Sequence, residues 1–160
     1  MKMKKILFTI LSTLLLCSCT SKSILDDERT FDHDVWNHFT PEKFDVDVRN
    51  VENYYNIDVT AVIDTAIYRY TSLPLTVNLY SPAGENRMFY AEVPFTENGR
   101  PRGEVADGRR TVRHRIRAFF SFNTAGNHNL EIAQATSQYD LEGIHSITVT
   151  ISKAPLDYEL

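Results

Sequence analysis

Two thiols, Cys17 and Cys19, are the groups in this chain best placed for covalent chemistry, because of what precedes them. Lys2, Lys4 and Lys5 charge the first residues. Ile6 to Leu16 is then an apolar run of 11 residues, interrupted only by the hydroxyls of Thr9, Ser12 and Thr13. A basic start, a short apolar stretch and small residues before a break mark a secretory signal. The run is too short to span a bilayer as a mature helix. A thiol that becomes the first residue after cleavage can be alkylated by a glyceride, and its new amine acylated. Cys19 suits that chemistry: aliphatic Leu16 stands three before it and small Ser18 just before it. Cys17 fits worse, because Leu16 would then fill the small position.

The run Leu16-Cys17-Ser18-Cys19 resembles a bacterial lipobox. It predicts removal of residues 1–18 and a mature chain opening on Cys19, thioether-linked to diacylglycerol and then N-acylated. Burying acyl chains gains about 0.8 kcal/mol per methylene, so several chains on one cysteine hold almost permanently where one would not. The alternative is a plain cleaved signal with two incidental cysteines. Thr20 to Thr30 is polar and acidic, with Asp26, Asp27 and Glu28 together. It reads as a solvated tether over residues 19–30, ahead of a single domain over 31–160. No aspartate follows Cys19 directly, and the acidic triplet begins seven residues on. Both points favour a lipid anchor in the outer membrane with the domain facing the periplasm.

Other candidate sites lie further along. Seven of the eleven arginines fall between Arg100 and Arg117. Arg113, Arg115 and Arg117 alternate, so on one strand they would share a face as a basic ladder. That ladder is the candidate interaction patch; the structural alternative is a solvated face paired with acids such as Asp58 or Glu131. Asp32-His33-Asp34 gathers metal-ligating types. Extended backbone sends neighbours to opposite faces, however, so at most two of them could reach one ion, and no metal site is expected. His38, His114, His128 and His145 share no spacing. Asp45 and Asp47 stand on the polar side of a strand pattern with nothing to raise a carboxyl pKa. No nucleophile-elbow, zincin, P-loop or dinucleotide motif occurs. The chain is therefore expected to be non-catalytic and to need no cofactor. Tyr54, Tyr55, Tyr68, Tyr70, Tyr80, Phe89 and Tyr90 could form a sugar-stacking platform, and equally serve as strand filler or interface anchors.

Composition narrows the partners. The formal charge is −4; removing residues 1–18 takes three lysines and no acid, leaving 14 Lys and Arg against 21 Asp and Glu, or −7. A nucleic-acid partner would want the opposite sign. With Cys17 removed and Cys19 acylated, no thiol remains for disulfides or zinc, so packing alone must hold the domain.

The elements that must position these residues are strands. Phe44, Val46 and Val48 alternate with Asp45, Asp47 and Arg49. Tyr55 to Ile63, Leu73 to Leu79, Val112 to Phe122, Leu130 to Ile132 and Ile147 to Ile151 repeat the period of two. Ser81-Pro82-Ala83-Gly84, Asn98-Gly99, Asp107-Gly108 and Ala125-Gly126-Asn127 carry turn chemistry. No stretch after residue 18 keeps a helical period over three turns. Seven or eight strands in an all-β antiparallel sandwich follow, either jelly-roll or immunoglobulin-like.

An ordered set of short motifs follows the signal. They are Val35-Trp36, Tyr55-Asn56-Ile57-Asp58-Val59, Tyr68-Arg69-Tyr70-Thr71-Ser72-Leu73, Pro82-Ala83-Gly84, Gly99 to Gly103, and Asp140-Leu141-Glu142-Gly143-Ile144-His145-Ser146-Ile147. In this order and chain length they resemble the gliding-motility-associated GldH lipoproteins of Bacteroidetes over nearly the whole mature chain. Two departures are Arg100–Arg110, where the family often has a longer Gly-rich stretch, and Thr136-Ser137 in place of a Met-Arg pair. The resemblance implies a non-catalytic accessory component of gliding-motility or related secretion machinery, whose partners are the membrane and other envelope proteins. Surface glycan binding is the alternative reading, and a hydrolase without a recognisable motif a third.

Overall fold

The computed structural model describes residues 23–155. Eight long strands carry the fold: β1 (Ser23–Thr30), β2 (Glu42–Val48), β3 (Tyr54–Asp64), β4 (Ser72–Tyr80), β5 (Asn86–Pro94), β6 (Arg109–Ser121), β7 (Gly126–Gln134) and β8 (Ile144–Lys153). β1, β8, β3 and β6 form one sheet in that order, extended by the short strand Glu104–Ala106. β2, β7, β4 and β5 form the other. All pairings are antiparallel, and they nest: first with last, second with seventh, third with sixth, fourth with fifth. That nesting is the jelly-roll order, which resolves the two expected sandwiches in favour of the jelly roll.

Alternation does what the period of two predicts. Phe44, Val46 and Val48 of β2, Leu73, Leu75, Val77 and Leu79 of β4 and Ile147, Val149 and Ile151 of β8 are buried between the sheets. Trp36 is fully buried at one end, stacked on Phe31 with centroids 4.8 Å apart, and its Nε1 donates to the Thr40 carbonyl at 3.2 Å. Phe39 stacks on Tyr139 and stays 70% exposed, as does Tyr139. Asn98-Gly99 and Asp107-Gly108 make two-residue turns with positive φ at all four positions. Gly143 is required for another reason: a Cβ there would lie 2.7 Å from the backbone N of Tyr68.

The expected tether needs correction. Its residues from Ser23 to Thr30 are β1, paired along their length with β8, so the sandwich begins at 23 rather than 31. The period of two is present but disguised. Asp26, Glu28 and Thr30 are exposed, while Leu25, Asp27 and Arg29 are half-buried. Two inward-leaning positions hold an ion pair, Arg29 Nη1 to Asp27 Oδ2 at 2.7 Å, instead of aliphatic side chains. Residues 19–22, with Cys19, lie outside the described residues.

β1 lies beside β2, and β6 beside β5, so the sandwich has two open flanks. At the first, the Arg29 guanidinium sits 4.6 Å above the Phe44 ring centroid and donates to the Lys43 carbonyl at 2.8 Å. At the second, two stacks run in opposite directions. Arg87 of β5 lies 4.4 Å over Phe120 of β6, and Arg117 of β6 lies 4.4 Å over Phe89 of β5.

Candidate interaction surface

The arginine ladder is broken by the strand that carries it. Arg113 and Arg115 pair in register with Thr60 and Asp58, but one extra residue between Arg115 and Arg117 sets Arg117 opposite Ile57. A bulge of one residue reverses the facing of everything beyond it. Arg113 and Arg115 therefore stay on the polar outer face, while Arg117 turns to the flank and covers Phe89. The expectation that all three share one face is corrected on that ground. A second irregularity, between Arg117 and Phe120, places Phe119 in the left-handed region at φ 51. Bulky residues rarely adopt that conformation.

Beneath the two remaining arginines lies Asp58, whose side chain is only 4% exposed. Arg113 Nε and Nη2 donate to its Oδ2 at 3.2 and 2.7 Å, and Arg115 Nε donates to its Oδ1 at 2.9 Å. Burial pushes this carboxyl up. The bonds from Arg115 and Arg113 outweigh it and hold the group below the usual carboxylate range. Of the two acids offered as partners for the ladder, Asp58 takes both arginines, whereas Glu131 pairs with Lys43 at 2.9 Å. One carboxylate balances two guanidiniums, so a positive charge is left over, and both arginines remain about half exposed.

Arg113 and Arg115 form one wall of a groove of about 1260 Å³ at the end where β1 begins and β8 ends. Arg49 and Lys153 add further positive charge, and Asn56 and Ser152 lie on its polar floor. Asp47 also lines it and answers Arg49 at 2.8 Å. The buried Asn56 side chain accepts the backbone N–H of Phe119 at 3.3 Å, tying the irregular turn of β6 to the groove. Sequence reasoning missed Asn56 because a strand asparagine carries no positional signal.

The histidines lie apart. Among the described residues no group of three His, Cys, Asp or Glu side chains is placed to hold a metal ion. Asp34 is committed elsewhere: its Oδ1 lies 2.7 Å from His145 Nδ1 and its Oδ2 3.4 Å from Arg109 Nη2. His33 and Asp34 both have φ of 57, a sharp turn that aims the Asp34 carboxylate at His145. No sequence signal links residues 111 positions apart in this way. His114 is half-buried; burial and then the Arg102 charge push it below the usual imidazole range. His128 is buried, with Nδ1 3.1 Å from the Gly126 carbonyl.

The tyrosine platform is not assembled. Tyr55, Tyr68 and Phe89 are core residues. Tyr80 and Tyr90 share the outer face of the second sheet but stand opposite Asn86 and Thr76, four residues apart along β4. Tyr54 and Tyr70 lie at opposite ends of the molecule, at the start of β3 and beyond its end.

No helix among the described residues is long and apolar enough to cross a membrane. A search of the curated proteins gives no match. A family model, described as GldH lipoprotein, matches residues 23–151, from the start of β1 to within two residues of the end of β8. The jelly roll of nested strands, with its basic groove at the end where β1 begins, therefore belongs to the GldH lipoprotein family.

Proposed function

We propose that this lipoprotein acts by contact, as a non-catalytic accessory component of gliding-motility or related secretion machinery. In this reading it is held by acyl chains on Cys19 to the outer membrane and faces the periplasm. The observation that carries the reading is the family match over residues 23–151, with Cys19 in its lipobox-like context just upstream. The surface chemistry supports it. The titratable groups that sequence analysis singled out are largely engaged with each other: Asp58 with Arg113 and Arg115, Asp34 with His145, Asp47 with Arg49. Groups so paired build a rigid surface and are poorly placed for proton transfer.

Membrane fractionation with protease shaving of intact cells tests the reading, comparing wild type with Cys19→Ala. Wild type should sediment with outer membrane and resist shaving, and the variant should be released. In-cell crosslinking followed by mass spectrometry should recover envelope proteins. Wild type found unmodified in the medium, or a crosslinked sample holding only the monomer, would overturn it.

A further inference from the structure

β1 starts at Ser23, so only three residues separate the structured domain from Cys19. Four Cα steps span at most about 14 Å. One end of the sandwich is thereby confined to the neighbourhood of the anchor. Strand register identifies that end: Ser23 stands opposite Ser152, Lys153 opposite Tyr55, and Ser121 opposite Tyr54. The groove walled by Arg113 and Arg115 opens there. Counting Asp58 beneath it, Arg49, Arg113, Arg115 and Lys153 face two carboxylates, so among the described residues the groove lining is net positive in a chain that is net negative. The same end exposes Phe119 (57%), Tyr54 (42%) and Val51 (38%). Phe119 is held outward in a strained backbone conformation by Asn56. Strain of this kind survives where the surroundings impose it and often marks a working surface. Guanidiniums suit phosphate oxygens, and aromatic rings suit the boundary between headgroups and water.

We propose that this end of the jelly roll rests on the phospholipid bilayer that holds the anchor. Lipid phosphates enter the basic groove, and Phe119, Tyr54 and Val51 enter the headgroup layer. The anchor then fixes orientation as well as location, and the opposite end, with Phe39 and Tyr139, points away from the membrane. The inference rests on acylation of Cys19.

The test uses the purified full-length lipoprotein in vesicles of phosphatidylcholine, with or without phosphatidylglycerol. With Cys19 acylated and Cys17 removed, a cysteine introduced as Val51→Cys or Tyr139→Cys is the sole free thiol and takes a nitroxide label. Depth is read from collision with a lipid-soluble and a water-soluble relaxant. The label at 51 should sit at headgroup depth, deeper when phosphatidylglycerol is present, and the label at 139 should sit in water. Arg49→Glu with Lys153→Glu, both on exposed side chains, should lower the docked-to-undocked ratio about fivefold per basic residue removed. Phe119→Ser should move the label at 51 outward without changing the unfolding midpoint by more than Phe119→Leu does. Mass spectrometry of the same sample reads Cys19. An acylated Cys19 with residue 51 in water overturns the docking and leaves the anchoring intact; an unmodified Cys19 overturns both. Depth indifferent to phosphatidylglycerol and to charge reversal overturns the role of the groove.

Discussion

The two open flanks of the sandwich face the same problem and meet it differently. Between β1 and β2, one guanidinium does everything. Arg29 lies on Phe44, pairs with Asp27, reaches Glu42 at 3.8 Å and donates to the Lys43 carbonyl. Between β5 and β6, the task is divided. Arg87 covers Phe120 and donates to the Ser121 carbonyl at 2.9 Å, while Arg117 covers Phe89. The first flank joins two sheet edges, with β1 and β2 both outermost. The second has β6 continuing into Glu104–Ala106, so its backbone is already paired on both sides near its start. That backing ends at Thr111, short of Arg117 and Phe120, so the stacks on both flanks lie between edges; one flank is closed by a single well-bonded cap and the other divides the cover between two. Arginine suits both, because its planar charge stacks on a ring while its N–H groups stay available to carbonyls and carboxylates.

Truncating the covered rings should have the largest effect. Phe44→Ala is expected to lose about 3–5 kcal/mol in reversible urea unfolding, because the ring is fully buried. Phe89→Ala should lose less, since its ring keeps some contact with water; an equal loss would erase the contrast between the flanks. Removing the caps comes next. Arg29→Ala should cost about 1.5–3 kcal/mol, and Arg29→Lys should recover under half of it, because an ammonium cannot bond several acceptors while stacked. Full recovery by lysine would show that charge alone matters at this flank.

A third experiment compares the two halves of β6. In the regular half, Asp58 holds Arg113 and Arg115, and its carboxyl titrates below the ordinary range. A depressed carboxyl contributes stability above the unfolded-state value near pH 4, and that contribution fades as pH falls through the folded value. Asp58→Asn should therefore cost about 1–2 kcal/mol at neutral pH, discounted for the half-exposed arginines, and progressively less as pH falls through the folded value. A cost independent of pH would assign the effect to packing. The smallest effect belongs to the bulged half. Arg117→Ala should change stability by at most about 1 kcal/mol, since among the described residues its guanidinium is held by the Phe89 ring alone. A loss matching that of Arg29→Ala would mean the second flank also hangs on a single residue.

Much of this architecture is legible in the residues. Leu73, Leu75, Val77 and Leu79 announce a strand with one buried face, and Asn98-Gly99 and Asp107-Gly108 announce two tight turns. The sandwich follows from such local patterns, but strand order does not, because nested pairing joins residues more than a hundred positions apart. β1 is hidden because Asp27 and Arg29 neutralise each other where aliphatic residues would have betrayed it. The bulges of β6 are hidden because Ile116, Ala118 and Phe119 carry none of the glycine or proline signals that mark irregular backbone. A strictly alternating strand would have produced the three-arginine ladder; a single inserted residue split it into a groove wall and a cover for the Phe89 ring.

The nested order of strands also sets a timetable. β1, the strand nearest Cys19, has β8 as its ladder partner, and β8 is made last. A growing chain can zip β4 to β5 early, then work outward pair by pair, with each step closing a longer loop than the one before. The stretch next to the anchor must wait, unpaired, until nearly every residue has been delivered to the compartment where the protein folds. Loss of the final ten residues of the sandwich would strand that stretch for good, so a truncated product would be tethered yet unable to finish its outermost sheet.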